Sequence, residues 1–374
     1  MLKNEKFRKL ISRSFIAFNI LIILLYLLVC LVPFLESGSF WFIAMLGLVF
    51  PFLFILVFLL LLYWLIRRRW KWALVPAVAL LLSWQQVSSC FAFRFQNDDK
   101  EILNNKPENS IRVLSWNVAR LDENNRDARG GKSYHDIMLD WMQMANADII
   151  CLQEFFECYD PKISDQNILA IKKMGYSYHY FFPSSIVYEG NFQFGLCIFS
   201  RFPIVDSARF LNGAGAHSEG FSYVDLKIKE NTVRVFNTHL ESVGFSRHDY
   251  ETLGNIENTR NIFRKIKVSY ELRNLQASTL SSHIKASPHP VIVCGDIDDV
   301  PNSYAYFKVK GDKKDVFLER GAGLGRTYQF ISPSLRIDYI FADKKMKVRQ
   351  SATLQPVYSD HYPILADIEI PQKR

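Results

Sequence analysis

Three stretches without a charged side chain fill most of the first hundred residues: Phe15 to Leu35, Ser37 to Ile66 and Trp72 to Phe93. A bilayer core is crossed by roughly 20 consecutive apolar residues in a helix, and the first two runs meet that length with aliphatic and aromatic side chains almost throughout. The third is diluted in its second half by Ser83, Gln85, Gln86, Ser88 and Ser89. The reading is three transmembrane helices, at about 15–35, 40–66 and 72–93, within an anchor of residues 1–93. A cleaved signal peptide would also begin basic and turn apolar, but the first run is too long for one and a second follows almost at once.

The flanking charges set an orientation. Lys3, Lys6, Arg8, Lys9 and Arg13 precede the first run, the loop Glu36-Ser37-Gly38-Ser39 carries no basic residue, and the second loop reads Arg67-Arg68-Arg69-Trp70-Lys71. Basic flanks stay cytoplasmic. The amino terminus and second loop are therefore expected inside, and everything after Arg94 outside, if the third helix spans. That makes a multi-pass protein of the cell membrane with its large domain on the extracytoplasmic, periplasmic side.

The net charge of +8 belongs mostly to this anchor. Residues 1–100 hold 11 basic and four acidic residues, which leaves about +1 for the remaining 274. A nucleic-acid-binding domain would carry a clustered basic footprint on its folded part, so strong nonspecific DNA binding is not indicated. A hydrophobic fraction of 49% excludes a disordered chain. Cys151, Cys197 and Cys294 each sit in an apolar, strand-like run and read as small buried hydrophobes. No CxxC or His/Cys ligand spacing occurs.

Residues 94–110 are polar and read as a linker, and a domain follows over 111–374. Strand-like runs occur at Ile111–Trp116, Asp148–Leu152, Phe194–Ser200, Ser222–Ile228, Val233–Thr238, Val291–Cys294, Arg336–Phe341 and Ile364–Ile370. Helical spacing appears over Tyr134–Ala145 and from Ile256 to Ile284. Many strands with few helices predict an α+β sandwich rather than a regular βαβ repeat.

Polar residues close these strands. Asn117 ends the first; Gln153 and Glu154 follow Ile149–Leu152; Asn237 and His239 end the Val233 run; Asp296, with Asp298 and Asp299, ends Val291–Gly295; Asp338 follows Ile337; and Ser359-Asp360-His361 precede the last strand. Each has an ordinary reading on its own: a capping carboxylate at Glu154, an interior histidine at His239, a turn pair of Asp338 with Arg336, an Asp-rich turn at 296–303. Six such ends together point to one convergent site on a rigid sheet. Carboxylate and amide oxygens without thiolates favour a hard cation, Mg²⁺ or Mn²⁺. Histidines beside such a cation suit phosphoryl chemistry, and no Walker lysine motif is present.

These residues resemble the endonuclease/exonuclease/phosphatase superfamily, the deoxyribonuclease I-like and neutral sphingomyelinase-like proteins. The resemblance runs in order through SWNV at 115–118, LQE at 152–154, FGLCIFSRFPI at 194–204, NTHLES at 237–242, GDIDDVPNS at 295–303, RIDYIF at 336–341 and SDHYPI at 359–364, with Arg273-xx-Gln276-Ala277 as the preceding helix. It implies a four-layer α/β sandwich with the site at one edge. It places Asn117, Glu154 and Asp360 at the metal, with Asp360 also holding the site. It makes Asp296 the group that activates water, sets His239 against the phosphate or leaving group, and gives His361, supported by Asp338, to the phosphoryl oxygens. Asn237 is expected to touch substrate. Specificity is expected in loops 183–192, 211–220 and 243–256.

Asp298 departs from the family, which has Asn there. An ionised Asp cannot donate a hydrogen bond and adds negative charge near a phosphate. The resemblance implies a membrane-anchored, metal-dependent phosphoric ester hydrolase acting on nucleic acid or a phospholipid headgroup. The alternative is a binding domain that keeps the fold and a phosphate ligand without turnover. A transporter is not indicated, because the spans carry no charge that would line a pathway.

Overall fold

The computed structural model describes residues 5–36, 40–94, 101–125, 133–211, 220–244, 256–330, 334–356 and 358–371. The first apolar run forms helix Glu5–Val29 and a short turn at Val32–Phe34. The second forms Trp41–Ala44 and Phe50–Ile66, linked by a turn at Met45–Val49. Phe7–Phe34 and Trp41–Ile66 are each long and apolar enough to cross a membrane. The third run is not the single helix expected over 72–93. It is two helices, Trp70–Leu82 and Trp84–Cys90, bent by 63°, which count as one further candidate span if taken together.

The polar residues that dilute this run find partners inside the bundle, as buried hydroxyls and amides must. The Ser83 hydroxyl meets that of Tyr26, and Gln86 Nε2 donates to Cys30 O at 3.0 Å. Ser83 and Gln86 thus lie beside the carboxyl-terminal end of the first helix. At the opposite end, Arg8, Trp64, Arg67, Arg69 and Trp72 line one crevice. The bundle therefore has a basic end and an end without basic residues. Past Cys90 the chain is extended, and β1 (Ala92–Phe93) pairs with β11 (Ala322–Gly323).

The domain is a sandwich of two six-stranded sheets. One orders β13 (Lys347–Thr353), β14 (Ile364–Glu369), β2 (Ser110–Asn117), β3 (Ile149–Cys158), β5 (Phe192–Ser200) and β4 (Tyr178–Val187). The other orders β10 (Lys314–Asp315), β12 (Asp338–Ala342), β9 (Val291–Asp296), β8 (Asn231–His239), β7 (Gly220–Ile228) and β6 (Ile204–Phe210). Each sheet has one parallel pair near its centre, β2 with β3 and β8 with β9.

Period-2 alternation sorts the apolar side chains into three layers of core. Val113, Ile149, Cys151, Val235, Ile292 and Cys294 pack between the sheets. Leu114, Trp116, Ile150 and Leu152 face outward onto the helix His135–Ala145 through Met138 and Met142. Phe236, Val293, Tyr339 and Phe341 face the helix Ile256–Lys285 through Ala277, Leu280 and Ile284. Both faces of the central strands are thus buried, which is why they read as nearly continuous apolar runs.

Part of the expected linker is not one. Ile102 is fully buried in the core beside Trp116, and Lys106 pairs with Asp148. The six cysteines are free and buried, as small hydrophobes are.

The bundle docks on the domain through its end without basic residues. Asn302 Nδ2 donates to Val29 O at 3.0 Å, Tyr304 OH to Glu36 Oε1 at 2.7 Å, Ser89 Oγ to Pro301 O at 3.2 Å, and Arg336 Nη2 to Ser89 O at 2.7 Å. Gly47 allows the closest approach, since a Cβ there would lie 2.8 Å from Asn302 O. Trp41, Ala44 and Met45 pack against Ile262, Ile266 and Tyr270.

Candidate active site

Strand register assembles most of the site. His239 ends β8 opposite Asp296 of β9, and Asp296 in turn faces Asp338 of β12, so three candidate site residues lie abreast on adjacent strands. On the other sheet Asn117 pairs with Gln153. The two sets meet at the sandwich rim, where Asn117 Nδ2 lies 3.2 Å from Asp296 Oδ2 and 3.3 Å from Glu154 Oε1. The loop before β14 adds His361, whose Nδ1 lies 2.9 Å from Asp338 Oδ2 and 3.5 Å from Asp296 Oδ2. His239 Nε2 lies 3.4 Å from Asp298 Oδ2 and 3.9 Å from Asp296 Oδ2.

Backbone irregularities aim the remaining groups. The β3–β5 register shifts between Leu152 and Phe155, and Glu154 takes φ +49°. Such a bulge re-aims a side chain at a local cost in strain. Here it turns Glu154 toward Asn117 while Gln153 stays fully buried between the sheets. Asp298 also has positive φ, +55°, and its backbone N–H donates to Asp296 Oδ1 at 2.9 Å. Asp and Asn tolerate this left-handed conformation better than most residues, which suits an Asp in place of the family Asn.

The charges are uneven. Burial, and then Asp298 and Asp338, push the Asp296 carboxyl well above the usual carboxylate range, against the pull of His361 and His239. Burial would lower His361, but Asp338 and Asp296 outweigh it and hold the imidazole well above its ordinary value. Burial would raise Asp298, but the hydrogen bond and charge of His239, with Arg273 and His361, hold it below the usual range. The carboxylate at this non-family position is therefore matched by cationic neighbours.

The structure differs from one expectation. Asn237 does not face the cleft. It is wholly buried, its Nδ2 donates to Leu152 O at 2.8 Å and Cys197 O at 3.2 Å, and its Oδ1 accepts from Gln153 Nε2 at 2.6 Å. Its amide ties the two sheets and is spent there, so the substrate-contact expectation is corrected. Asp360 is half-buried and accepts from Ser359 Oγ at 3.3 Å. Among the described residues two groups bring ligand atoms within 4.8 Å of one another: His239 with Asp296 and Asp298, and Asp296 with Asp338 and His361. Neither contains Asp360 or Glu154. Of the specificity loops, 183–192 is the β4–β5 hairpin, while 212–219 and 245–255 lie outside the described residues.

Two supporting residues, Thr327 and Tyr328, lie outside every motif read from the sequence, while others belong to those motifs. Thr327 Oγ1 accepts from the backbone N–H of both Ile337 and Asp338, at 2.9 and 3.1 Å. Tyr328 packs its ring 4.9 Å from that of His361. Trp116 Nε1 donates to His361 O at 3.0 Å, and Ser359 Oγ to Asn117 O at 2.8 Å. Arg273, on the helix noted beforehand, donates to Glu241 O at 2.8 Å and lies 3.5 Å from Asp299 Oδ2.

The sequence profile of the Endonuclease/Exonuclease/phosphatase family matches residues 114–361, more than half of the chain and all of the site. The chain belongs to this family. Residues 9–90 match a separate profile, a domain of unknown function designated DUF8431. No curated protein matches the sequence.

Among solved structures of this family, an endonuclease/exonuclease/phosphatase from Beutenbergia cavernae is similar at 19% identity, covering 70% of this chain and 72% of that one, with a TM-score of 0.52. The human Nocturnin catalytic domain is 19% identical over 71% of this chain and 96% of its own, with a TM-score of 0.46. A mannosyl-6-phosphatase from Bacteroides thetaiotaomicron is 20% identical over 69% and 99%, with a TM-score of 0.49. The two-sheet α+β sandwich is the family's phosphoesterase fold, and the chain is a phosphoric ester hydrolase by family.

Proposed function

We propose that this chain is a divalent-metal-dependent phosphoesterase, held in the cell membrane by its amino-terminal helices and working on phosphate esters at the outer surface. The observation that carries the reading is the convergence of Asn117, Glu154, His239, Asp296, Asp338 and His361 at one rim of the sandwich. The donor set fits a hard cation: oxygen ligands dominate, no thiolate joins them among the described residues, and burial with the carboxylates of Asp298 and Asp338 raises the proton affinity of Asp296, which a cation would relieve. Glu154 and the amide oxygen of Asn117 would hold Mg²⁺ or Mn²⁺ beside Asp296, the Asn117 amide then turning from the orientation in which its Nδ2 donates to both carboxylates. When bound, the ion supplies charge neutralisation to the phosphoryl group.

The chain's own residues do the rest. Asp296 orients a water and accepts its proton. His361, kept protonated by Asp338, donates to a phosphoryl oxygen. His239, beside Asp298, faces the same space and balances charge on the ester. Asp338 itself is fixed by Thr327.

Basic residues gather at the bundle end away from the domain, which supports three spans with the amino terminus inside and the domain outside. The near-neutral domain and the docked bundle favour a membrane-borne substrate over DNA. The test is hydrolysis by the full chain in detergent, with and without EDTA, against plasmid DNA, RNA, phospholipids and soluble phosphate esters. Mg²⁺-restored turnover of any ester, lost in His361→Ala, supports the reading. Stoichiometric metal binding without turnover of any substrate would favour the phosphate-binding alternative.

A further inference from the structure

Where the bundle meets the domain there is a cavity of about 230 Å³. One wall is the junction of the Met45–Val49 turn with the helix Phe50–Ile66, with Leu48, Val49 and Phe52; the other is Val300, Leu324 and Leu335 of the domain. Its lining is almost wholly apolar. The volume far exceeds the ~30 Å³ share of one water and falls below the roughly 300–1,000 Å³ of pockets that enclose a whole small molecule. It suits a segment of a larger apolar ligand.

Two observations name that ligand. Leu48, Val49 and Phe52 are 42, 40 and 52% exposed and belong to a candidate span, so the cavity opens from a surface that hydrocarbon would cover. Asn302, in the wall and fully buried, donates its Nδ2 to Val29 O, while its Oδ1 has no hydrogen-bond partner among the described residues. A buried acceptor left unmatched costs about 1–3 kcal/mol, and a hydroxyl or amide N–H on an entering molecule would relieve it.

The cavity is also one layer of side chains from the chemistry. Val300 and Leu335 pack in one cluster with Tyr328, whose ring rests 4.9 Å from that of His361. Val300 follows Asp298 and Asp299 in the same loop.

From this we infer that the cavity between the second helix and the 300–302 loop is a subsite for the aliphatic chain of a phosphate-ester lipid, with the root of the chain donating to Asn302 and the phosphate reaching Asp296 and His361. The inference rests on the proposed phosphoesterase activity and narrows its substrate to lipids whose chain enters from the bilayer.

The test uses the full chain in phosphatidylcholine vesicles, with lysophosphatidic acids of short and long chain and glycerol phosphate as the chainless ester. Val49→Trp and Leu324→Trp fill the cavity from opposite walls and touch no catalytic group. Each should lower kcat/KM for the long-chain lipid by about tenfold or more, a loss of hydrophobic-pocket size, and leave glycerol phosphate within about twofold. A lysophosphatidic acid carrying a diazirine in its acyl chain should label the cavity walls, and either variant should abolish that labelling. Long-chain turnover and labelling unchanged in both variants would overturn the subsite. Cavity labelling with no hydrolysis of any ester would instead uphold the subsite and defeat the phosphoesterase reading.

Discussion

Asp296 is the side chain on which the site turns. It contacts Asn117 from the opposite sheet and lies within 3.9 Å of both His239 and His361, yet burial and two neighbouring carboxylates resist its ionisation. Asp296→Asn removes the proton acceptor while keeping shape and should lower kcat by at least about 10²-fold, with an unchanged circular dichroism spectrum. Asp298 plays a lesser part. Asp298→Asn restores the family residue and keeps one acceptor for His239, so turnover should stay within about tenfold of wild type, measured on the same ester. A loss as large as that of Asp296→Asn would make Asp298 the essential carboxylate instead.

Among the elements, β3 ends in a buried glutamate outside the site. Glu157 is buried and its Oε2 accepts from Ile168 N at 2.6 Å, at the start of the helix Asn167–Lys173. Burial pushes its carboxyl up to about 7, with the backbone N–H groups of Ile168 and Asn167 pulling the other way. The folded state therefore holds the proton more tightly than the unfolded chain. This contribution is fully present below the unfolded value near 4.5 and fades as pH rises through about 7. Thermal unfolding should shift upward on acidification across that window, by up to about 3 kcal/mol of stability, and Glu157→Gln should flatten the shift. A second element-scale tie is Arg336, buried and 2.6 Å from Asp315. Arg336→Ala strands a buried carboxylate and should cost about 3–5 kcal/mol in denaturant unfolding.

For the molecule as a whole, the prediction concerns sidedness. All native cysteines are buried, so added ones can be read cleanly. Tyr188 is 71% exposed on the β4–β5 turn. With the domain outside, Tyr188→Cys should react with a membrane-impermeant maleimide in intact spheroplasts, and Arg68→Cys only after permeabilisation. The reverse pattern would place the domain in the cytoplasm. The bundle is also more than a tether, since Val29, Glu36, Gly47 and Ser89 all touch the loop and strand that carry Asp298 and Asp338 or their immediate neighbours.

The sequence alone carried the apolar runs, the central strands and the polar residues at their ends, because strands buried on both faces and spans in hydrocarbon leave unbroken apolar signals. Within the sandwich, the strands it did not reveal are Tyr178–Val187, Ile204–Phe210, Lys347–Thr353 and Lys314–Asp315. These are the four sheet edges, where half-exposed strands mix charged and apolar residues to avoid edge-to-edge pairing. Ordered motifs brought Asn117, Glu154, His239, Asp296, Asp338 and His361 into view. Long-range packing decided the rest. Asn237 and His239 lie two residues apart on one strand, yet only register and the facing sheet make the first an inter-sheet tie and leave the second at the rim. The docking of Ser89 and Asn302 and the cavity beside them join segments more than two hundred residues apart, and no local pattern encodes which surfaces meet.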